Sequence, residues 1–389
     1  MPAVTATPKS ESNKKSTDSQ KKTEVYSSDE NDSNSMTALA SSEEQSGDYT
    51  YTVSGSNATI TGYTGAGGNI TIPETVAGYT VTAIGNSAFS GMDSITGCTL
   101  PSKLESIGYY AFKGTGITSI TIPKTVTSCD SSSYNGPFAG ASQLKEVTFE
   151  EGMTTIPGYV LASDSYTSYI TKVNMPDSVN TIGYCAFYSC TSISNMTLSS
   201  GLTMIGDSAY QKCSALTEIS FPETLTTIDS DAFRSSGLKT VTLPSSIQTV
   251  GGSAFYDCDS LVSVNFTEKA ANGYKVEIGG SCFSDCGSLT TVNFSINVKS
   301  IGNYAFSGDS ELAEIELPSK LESIGYYAFK GTYISSITIP KTVTSCGSSS
   351  YNGPFAGASQ LKEVTFEEGM ITIPGYVLAS DSYTSYITK

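Results

Sequence analysis

Ile107-Gly108-Tyr109-Tyr110-Ala111-Phe112 is the stretch that decides the fold, because the chain says it again and again. Ile84-Gly85-Asn86-Ser87-Ala88-Phe89 comes before it, and Ile301-Gly302-Asn303-Tyr304-Ala305-Phe306 repeats it far downstream. With the last aromatic or its replacement as a marker, the series runs Phe89, Phe112, Phe138, Leu161, Phe187, Tyr210, Phe233, Phe255, Phe283, Phe306, Phe329, Phe355, Leu378. These thirteen units are spaced by 22, 23, 26 or 28 residues. A period in this range is the signature of a solenoid, in which each unit stacks only on its neighbours. Such an array displays surface, so the sequence points to binding before it points to chemistry.

Around the marker each unit carries apolar-polar-apolar triplets such as Val147-Thr148-Phe149, Val241-Thr242-Leu243 and Ile337-Thr338-Ile339. Two residues point in and one out, the pattern of a short strand. Proline commonly follows (Pro123, Pro176, Pro222, Pro244, Pro318, Pro340) and ends the strand, since it has no amide to donate. A second extended piece, Leu104-Glu105-Ser106-Ile107, leads into Gly108, and Tyr109 to Lys113 is expected to form a short helical or 3₁₀ turn that inserts Phe112. The expected fold is an α/β repeat solenoid. Its triplets would stack in register into one parallel sheet.

Composition narrows the partners. The formal charge of -16 and a pI near 4.4 argue against nucleic acid and anionic membranes. No apolar run approaches the ~18 residues of a membrane helix, so no membrane insertion is expected. Residues 1–46, rich in Ser, Lys, Glu and Asp, read as a disordered tether with nothing to bury. No export signal is visible at the start. Residues 47–80 read as a capping hairpin with a first strand, built on Tyr49-Thr50-Tyr51-Thr52-Val53 and Ala58-Thr59-Ile60-Thr61. The solenoid occupies 81–389.

Catalytic chemistry has little to work with. The chain has no histidine, which removes the usual near-neutral base and most triads. Of nine cysteines, Cys190, Cys213, Cys258 and Cys286 fall three residues after a marker, where other units hold Met92, Thr115, Ser236 and Thr332. That column is packing space. Cys282 with Cys286, and Cys185 with Cys190, could be drawn as thiolate ligands, but Cys282 replaces the Ala of Ala-Phe and core filling is favoured. The paired acids Asp229/Asp231 and Asp257/Asp259 sit on turns, and no glycine-rich phosphate loop opens a helix. Neither an enzyme, nor a cofactor, nor a metal is expected.

Binding candidates are plainer. The outward column of the triplets is Thr71, Thr99, Thr121, Thr148, Asn174, Thr197, Ser220, Thr242, Asn265, Asn293, Glu316, Thr338 and Thr365. Short polar groups in a row suit an extended peptide or a glycan, although Thr is also a favoured solvent-facing strand residue. Three insertions break the period: Ser131 to Gly136 (copied at Ser348 to Gly353), Ser163 to Tyr169 (copied at Ser380 to Tyr386), and Glu268 to Tyr274. They carry Tyr134, Tyr166, Tyr169, Tyr274 and Tyr351, and tyrosine on a loop is a low-entropy contact residue.

Leu317-Pro318 through Ile324-Gly325-Tyr326-Tyr327-Ala328-Phe329 to Ile337-Thr338-Ile339-Pro340 resembles the BspA-type leucine-rich repeat. The opening Gly47 to Val53 and Gly68-Asn69-Ile70-Thr71-Ile72-Pro73 are similar to that family's usual start. The resemblance covers residues 47–389. It implies a leucine-rich repeat array of about thirteen ~23-residue coils, and a secreted or surface-displayed protein that adheres to host extracellular proteins, glycans or other microbes. The alternatives are a structural spacer and an accessory module of a secreted enzyme.

Residues 100–172 recur at 317–389, offset by 217, with four differences: Gly116/Tyr333, Thr118/Ser335, Asp130/Gly347 and Thr154/Ile371. The second copy stops at Lys389, where the first continues into Val173-Asn174-Met175-Pro176. A fragment of a longer array is therefore expected, with self-association possible through the uncapped last coil.

Overall fold

The computed structural model describes residues 42–268 and 275–380. Most of the expected tether, residues 1–41, lies outside them, as do residues 269–274 with Tyr274, and residues 381–389. Three antiparallel strands open the described chain: β1 (Glu44–Ser46), β2 (Tyr49–Ser54) and β3 (Asn57–Tyr63). Parallel stacking begins where β3 pairs with Tyr79–Ile84, and every later strand pair from coil to coil is parallel. Tyr63 carries the hairpin onto the repeat, its ring 6.1 Å from Phe89.

The core is a column of rings. Phe89, Phe112 and Phe138 stack with centroids 5.3 and 5.2 Å apart and planes within 9° of parallel. Leu161 interrupts the column, which resumes at Phe187 and runs through Tyr210, Phe233, Phe255, Phe283, Phe306 and Phe329 to Phe355 at 5.0–5.7 Å. Offset aromatic pairs add about 0.5–1.5 kcal/mol each beyond burial. The Cys column lies beside it. The thiols of Cys190, Cys213, Cys258 and Cys286 are buried and donate to main-chain carbonyls of the preceding coil (Leu161, Phe187, Phe233, Phe255) at 3.1–3.4 Å. Burial pushes the thiols of Cys190, Cys213 and Cys286 up, whereas a hydrogen bond with Cys286 lowers that of Cys258; all four are buried as packing residues.

The expected helical or 3₁₀ turns are not there: the described residues contain no helix, and the Ala-Phe stretch is a run of turns. Hydrogen bonding explains why. Ala88, Ser90 and Met92 donate back three residues, but the alternate amides of Ser87, Phe89 and Gly91 donate instead to Tyr109, Ala111 and Lys113 of the next coil at 2.7–2.9 Å. A 3₁₀ run needs every successive amide, and here half are spent between coils. The residue before the Ala also adopts left-handed φ (Ser87 57°, Tyr110 54°, Asp231 51°, Tyr327 54°), which ends any helix.

The single stacked sheet also comes out differently. The continuous ladder is the second extended piece, whose strands pair without a break from Thr155–Ile156 to Ser345–Cys346. The Thr-column strands fall into short stacks: Gly68–Thr71 with Ile95–Thr99; Ser119–Ile122, Glu146–Phe149 and Lys172–Asn174; Asn195–Met196 with Glu218–Ile219; Thr240–Leu243, Ser263–Phe266 and Thr291–Asn293; Ser336–Ile339 with Glu363–Phe366. A glycine strip beside the continuous ladder accounts for the contrast. A Cβ on Gly302 would lie 2.5 Å from the Gly279 carbonyl carbon, and one on Gly325 2.4 Å from that of Gly302. At this strip there is no room for a Cβ between coils, whereas the Thr-column ladder is interrupted between its stacks.

Candidate functional site

The Thr column is a regular polar surface of the array. Register places Thr71 opposite Thr99, Thr121 beside Thr148 and Asn174, Thr242 beside Asn265 and Asn293, and Thr338 beside Thr365. Thr197 and Ser220 each follow a two-residue strand by one position, and Glu316 belongs to no strand. Thr121, Thr197, Ser220, Thr242, Asn293, Thr338 and Thr365 are exposed, whereas Thr148, Asn174 and Asn265 are half-buried.

Part of this surface is satisfied internally. The Asn174 amide donates to Thr148 Oγ1 at 2.8 Å and to Glu146 Oε1 at 2.7 Å, and Asn293 donates to Asn265 Oδ1 at 2.7 Å. Lys172 pairs with Glu146 at 2.7 Å. These two donors hold the Glu146 carboxyl below its ordinary range. The amide of Lys341 does the same for Glu367, aided by its ammonium.

Among the described residues, two hollows lie on this face. One, of about 820 Å³, is bordered by Asn69, Thr71 and Thr99 on one wall and by Ser119, Thr121, Glu146, Thr148 and Glu150 on the other. The second, of about 900 Å³, lies between Thr291, Asn293, Glu314 and Glu316 and a far wall of Ser336, Thr338, Glu363, Thr365 and Glu367. Sequence reasoning named the threonines and Glu316 but missed the other glutamates. The signal was present in Glu146-Val147-Thr148-Phe149-Glu150, where a period of two puts Glu146, Thr148 and Glu150 on one face.

The loop tyrosines form a separate group. Tyr134 stacks on Tyr188 at 5.0 Å. Tyr166 accepts from Lys113 Nζ at 2.7 Å and meets Tyr110 edge-on, and Lys145 lies 4.5 Å over Tyr169. Tyr351 is 70 % exposed, with Tyr376 6.5 Å away. Tyr274 lies outside the described residues. Among the described residues no hydrogen bond or ring contact joins these tyrosines to the Thr column, and no three Cys, Asp or Glu side chains gather as metal ligands. No helix among them is long and apolar enough to cross a membrane.

Comparison with known proteins agrees with this geometry. No curated protein sequence matches the chain. A leucine-rich repeat protein from Bacteroides ovatus ATCC 8483 is similar in fold, with a TM-score of 0.50 and 24 % identity over 82 % of this chain and 94 % of that one. A leucine rich cell surface protein from Faecalibacterium prausnitzii A2-165 aligns with a TM-score of 0.41, 21 % identity and coverage of 84 % and 95 %. The pneumococcal vaccine antigen PcpA gives 0.49, 17 % identity and coverage of 89 % and 92 %. The family described as BspA type leucine rich repeat region matches residues 68–171, 165–273 and 276–388. With stacked Ala-Phe coils and the matching sequence spanning the array, the chain belongs to the BspA-type leucine-rich repeat family.

Proposed function

We propose that this protein is a non-enzymatic recognition protein, displayed at a cell surface or secreted, that adheres to extracellular proteins or glycans through its Thr-column face. The observation that carries this reading is the face itself: a row of short, largely exposed polar side chains opening into two hollows. A rigid repeat scaffold under such a face supplies a preorganised surface, which lowers the ordering cost of binding. Family membership supports the same reading, because repeat arrays of this kind serve as extended recognition surfaces.

The test is solid-phase binding of the full chain to a panel of matrix proteins and glycans, beside a variant with Thr148→Lys, Thr197→Lys, Thr242→Lys and Thr338→Lys. Saturable binding that the variant loses is the expected result. A monodisperse protein that binds nothing on the panel would instead favour a spacer.

A further inference from the structure

Cys258 and Cys286 stand opposite each other in neighbouring coils. Eight residues before them Val250 pairs with Ile278, and five residues after them Ser263 pairs with Thr291, so the register that fixes one cysteine fixes the other. Between those pairs the rings of Phe255 and Phe283 stack at 5.3 Å, and the Asp257 amide donates to the Ser284 carbonyl at 3.0 Å. Parallel strands stacked in this way lie roughly 4.8 Å apart, inside the ~4.4–6.8 Å that a disulfide requires between its Cα atoms.

The two thiols also meet. Cys286 Sγ lies 3.1 Å from the carbonyl of Phe255, in the turn that carries Cys258, and a side-chain hydrogen bond joins it to Cys258. Ser236 Oγ meets Cys258 Sγ from the other side at 3.4 Å. The bond with Cys286, aided by Ser236, pulls the Cys258 thiol below its ordinary value although it is wholly buried. Burial pushes the other eight thiols up. A thiol that parts readily with its proton, with a second thiol opposite it, is the arrangement of an exchanging pair.

Three other cysteines are rivals. Cys190 and Cys213 share the same register, with Ile182 opposite Ile205 and Asn195 opposite Glu218. The Cys213 thiol, however, meets the main chain of Cys190 rather than its sulfur. Cys282 lies four residues before Cys286, but the main chain of Ala254 and Phe255 holds its thiol. Marker spacing is also widest here, 28 residues from Phe255 to Phe283 against 23 from Phe187 to Tyr210, and closing a longer loop removes more entropy from the unfolded chain.

We propose that Cys258 and Cys286 form a cross-coil disulfide by exchange with a low-molecular-weight disulfide, stapling the two coils across the longest interval of the repeat. The Cys258 thiolate attacks one sulfur of the oxidant, forming a mixed disulfide and releasing a first small thiol. The Cys286 thiolate then attacks the Cys258 sulfur; the mixed bond breaks and a second small thiol leaves. Two electrons and two protons pass from the pair to the oxidant. Because both thiols are buried, exchange takes place during folding or through local opening of the coil. The staple is independent of which face binds a partner.

Folding the full chain from urea in glutathione buffers of graded ratio, followed by alkylation under denaturing conditions and peptide mapping, tests this. Seven of the nine cysteines should be alkylated, with one linked peptide pair carrying Cys258 and Cys286. That link should persist at a glutathione ratio about tenfold more reducing than any other pair tolerates. The linked chain should unfold at higher urea than the reduced chain, and dithiothreitol should remove the difference. Cys258→Ser and Cys286→Ser should each abolish the link and leave unfolding indifferent to dithiothreitol; buried Ser236 in the same column shows that serine fits there. Cys190→Ser should leave the link intact. Nine alkylated cysteines, a Cys190–Cys213 or Cys258–Cys282 link formed as readily, or an unfolding midpoint unmoved by dithiothreitol overturns the proposal.

Discussion

Asp309 occupies the column position that Cys213, Cys258 and Cys286 fill elsewhere, three residues after its marker. It is wholly buried; one carboxyl oxygen accepts from the Cys286 amide at 2.9 Å, and the other has no partner. Burial pushes this carboxyl well above the usual carboxylate range. The native chain therefore holds a proton that the unfolded chain, with a pKa of ~4, gives up. Between those two values the native state binds more protons, so stability falls as pH rises through the window. Asp309→Asn keeps the acceptor and removes the titration. Urea unfolding across pH 4 to 7 should show a midpoint declining with pH in the parent and markedly flatter in the variant. Parallel profiles would reject this role. The opposing contributions of Glu146 and Glu367, whose pKa values are lowered, come from solvent-exposed groups and should be small. The column position was readable in the sequence as packing space. That a carboxyl lacks a partner there was not, because partners come from the neighbouring coil.

At the scale of the element, one coil is a closed circuit of two strands and a turn whose amides alternate between its own carbonyls and those of the next coil. Loss of one coil should thus be felt by both neighbours. Phe233 lies between Tyr210 and Phe255 at 5.1 and 5.3 Å with planes within 4° of parallel. Phe233→Ala should cost about 3–5 kcal/mol and open the middle of the array, read as new proteolytic cleavage near residues 210–255. A cleavage pattern identical to the parent's would defeat the stacked-column account. The glycine strip makes a second test. Gly302→Ala puts a methyl into the Gly279 backbone and should destabilise by about 1–3 kcal/mol, measured by urea unfolding. Gly375→Ala meets nothing within 4 Å and should change little. Periodicity alone exposed the coils, their markers and their inward residues. It misjudged the turn, because a short stretch such as Tyr109 to Lys113 reads as helical until the amides claimed by the next coil are counted. It also gave the Thr column a continuity that belongs to the other ladder, since strand triplets alone do not tell which ladder has its glycines packed against the next coil.

For the whole molecule, the 217-residue duplication is an internal control, the same sequence read in two settings. In the first, Ile156 and Leu161 are buried (0 % and 1 % exposed), with the amides of Tyr159 and Leu161 bonded to carbonyls of the following coil. In the second, Ile373 is 58 % and Leu378 36 % exposed, and Ile371, where the first copy has Thr154, is 99 % exposed. The same residues are thus buried only where a further coil stacks on them, so the stability of each coil is set together with its neighbour. Ile156→Ala, in the covered setting, should cost about 2–5 kcal/mol, and Ile373→Ala, at the exposed copy, much less, both read by urea unfolding. Equal costs at the two copies would show that coil-to-coil stacking is not what buries this position.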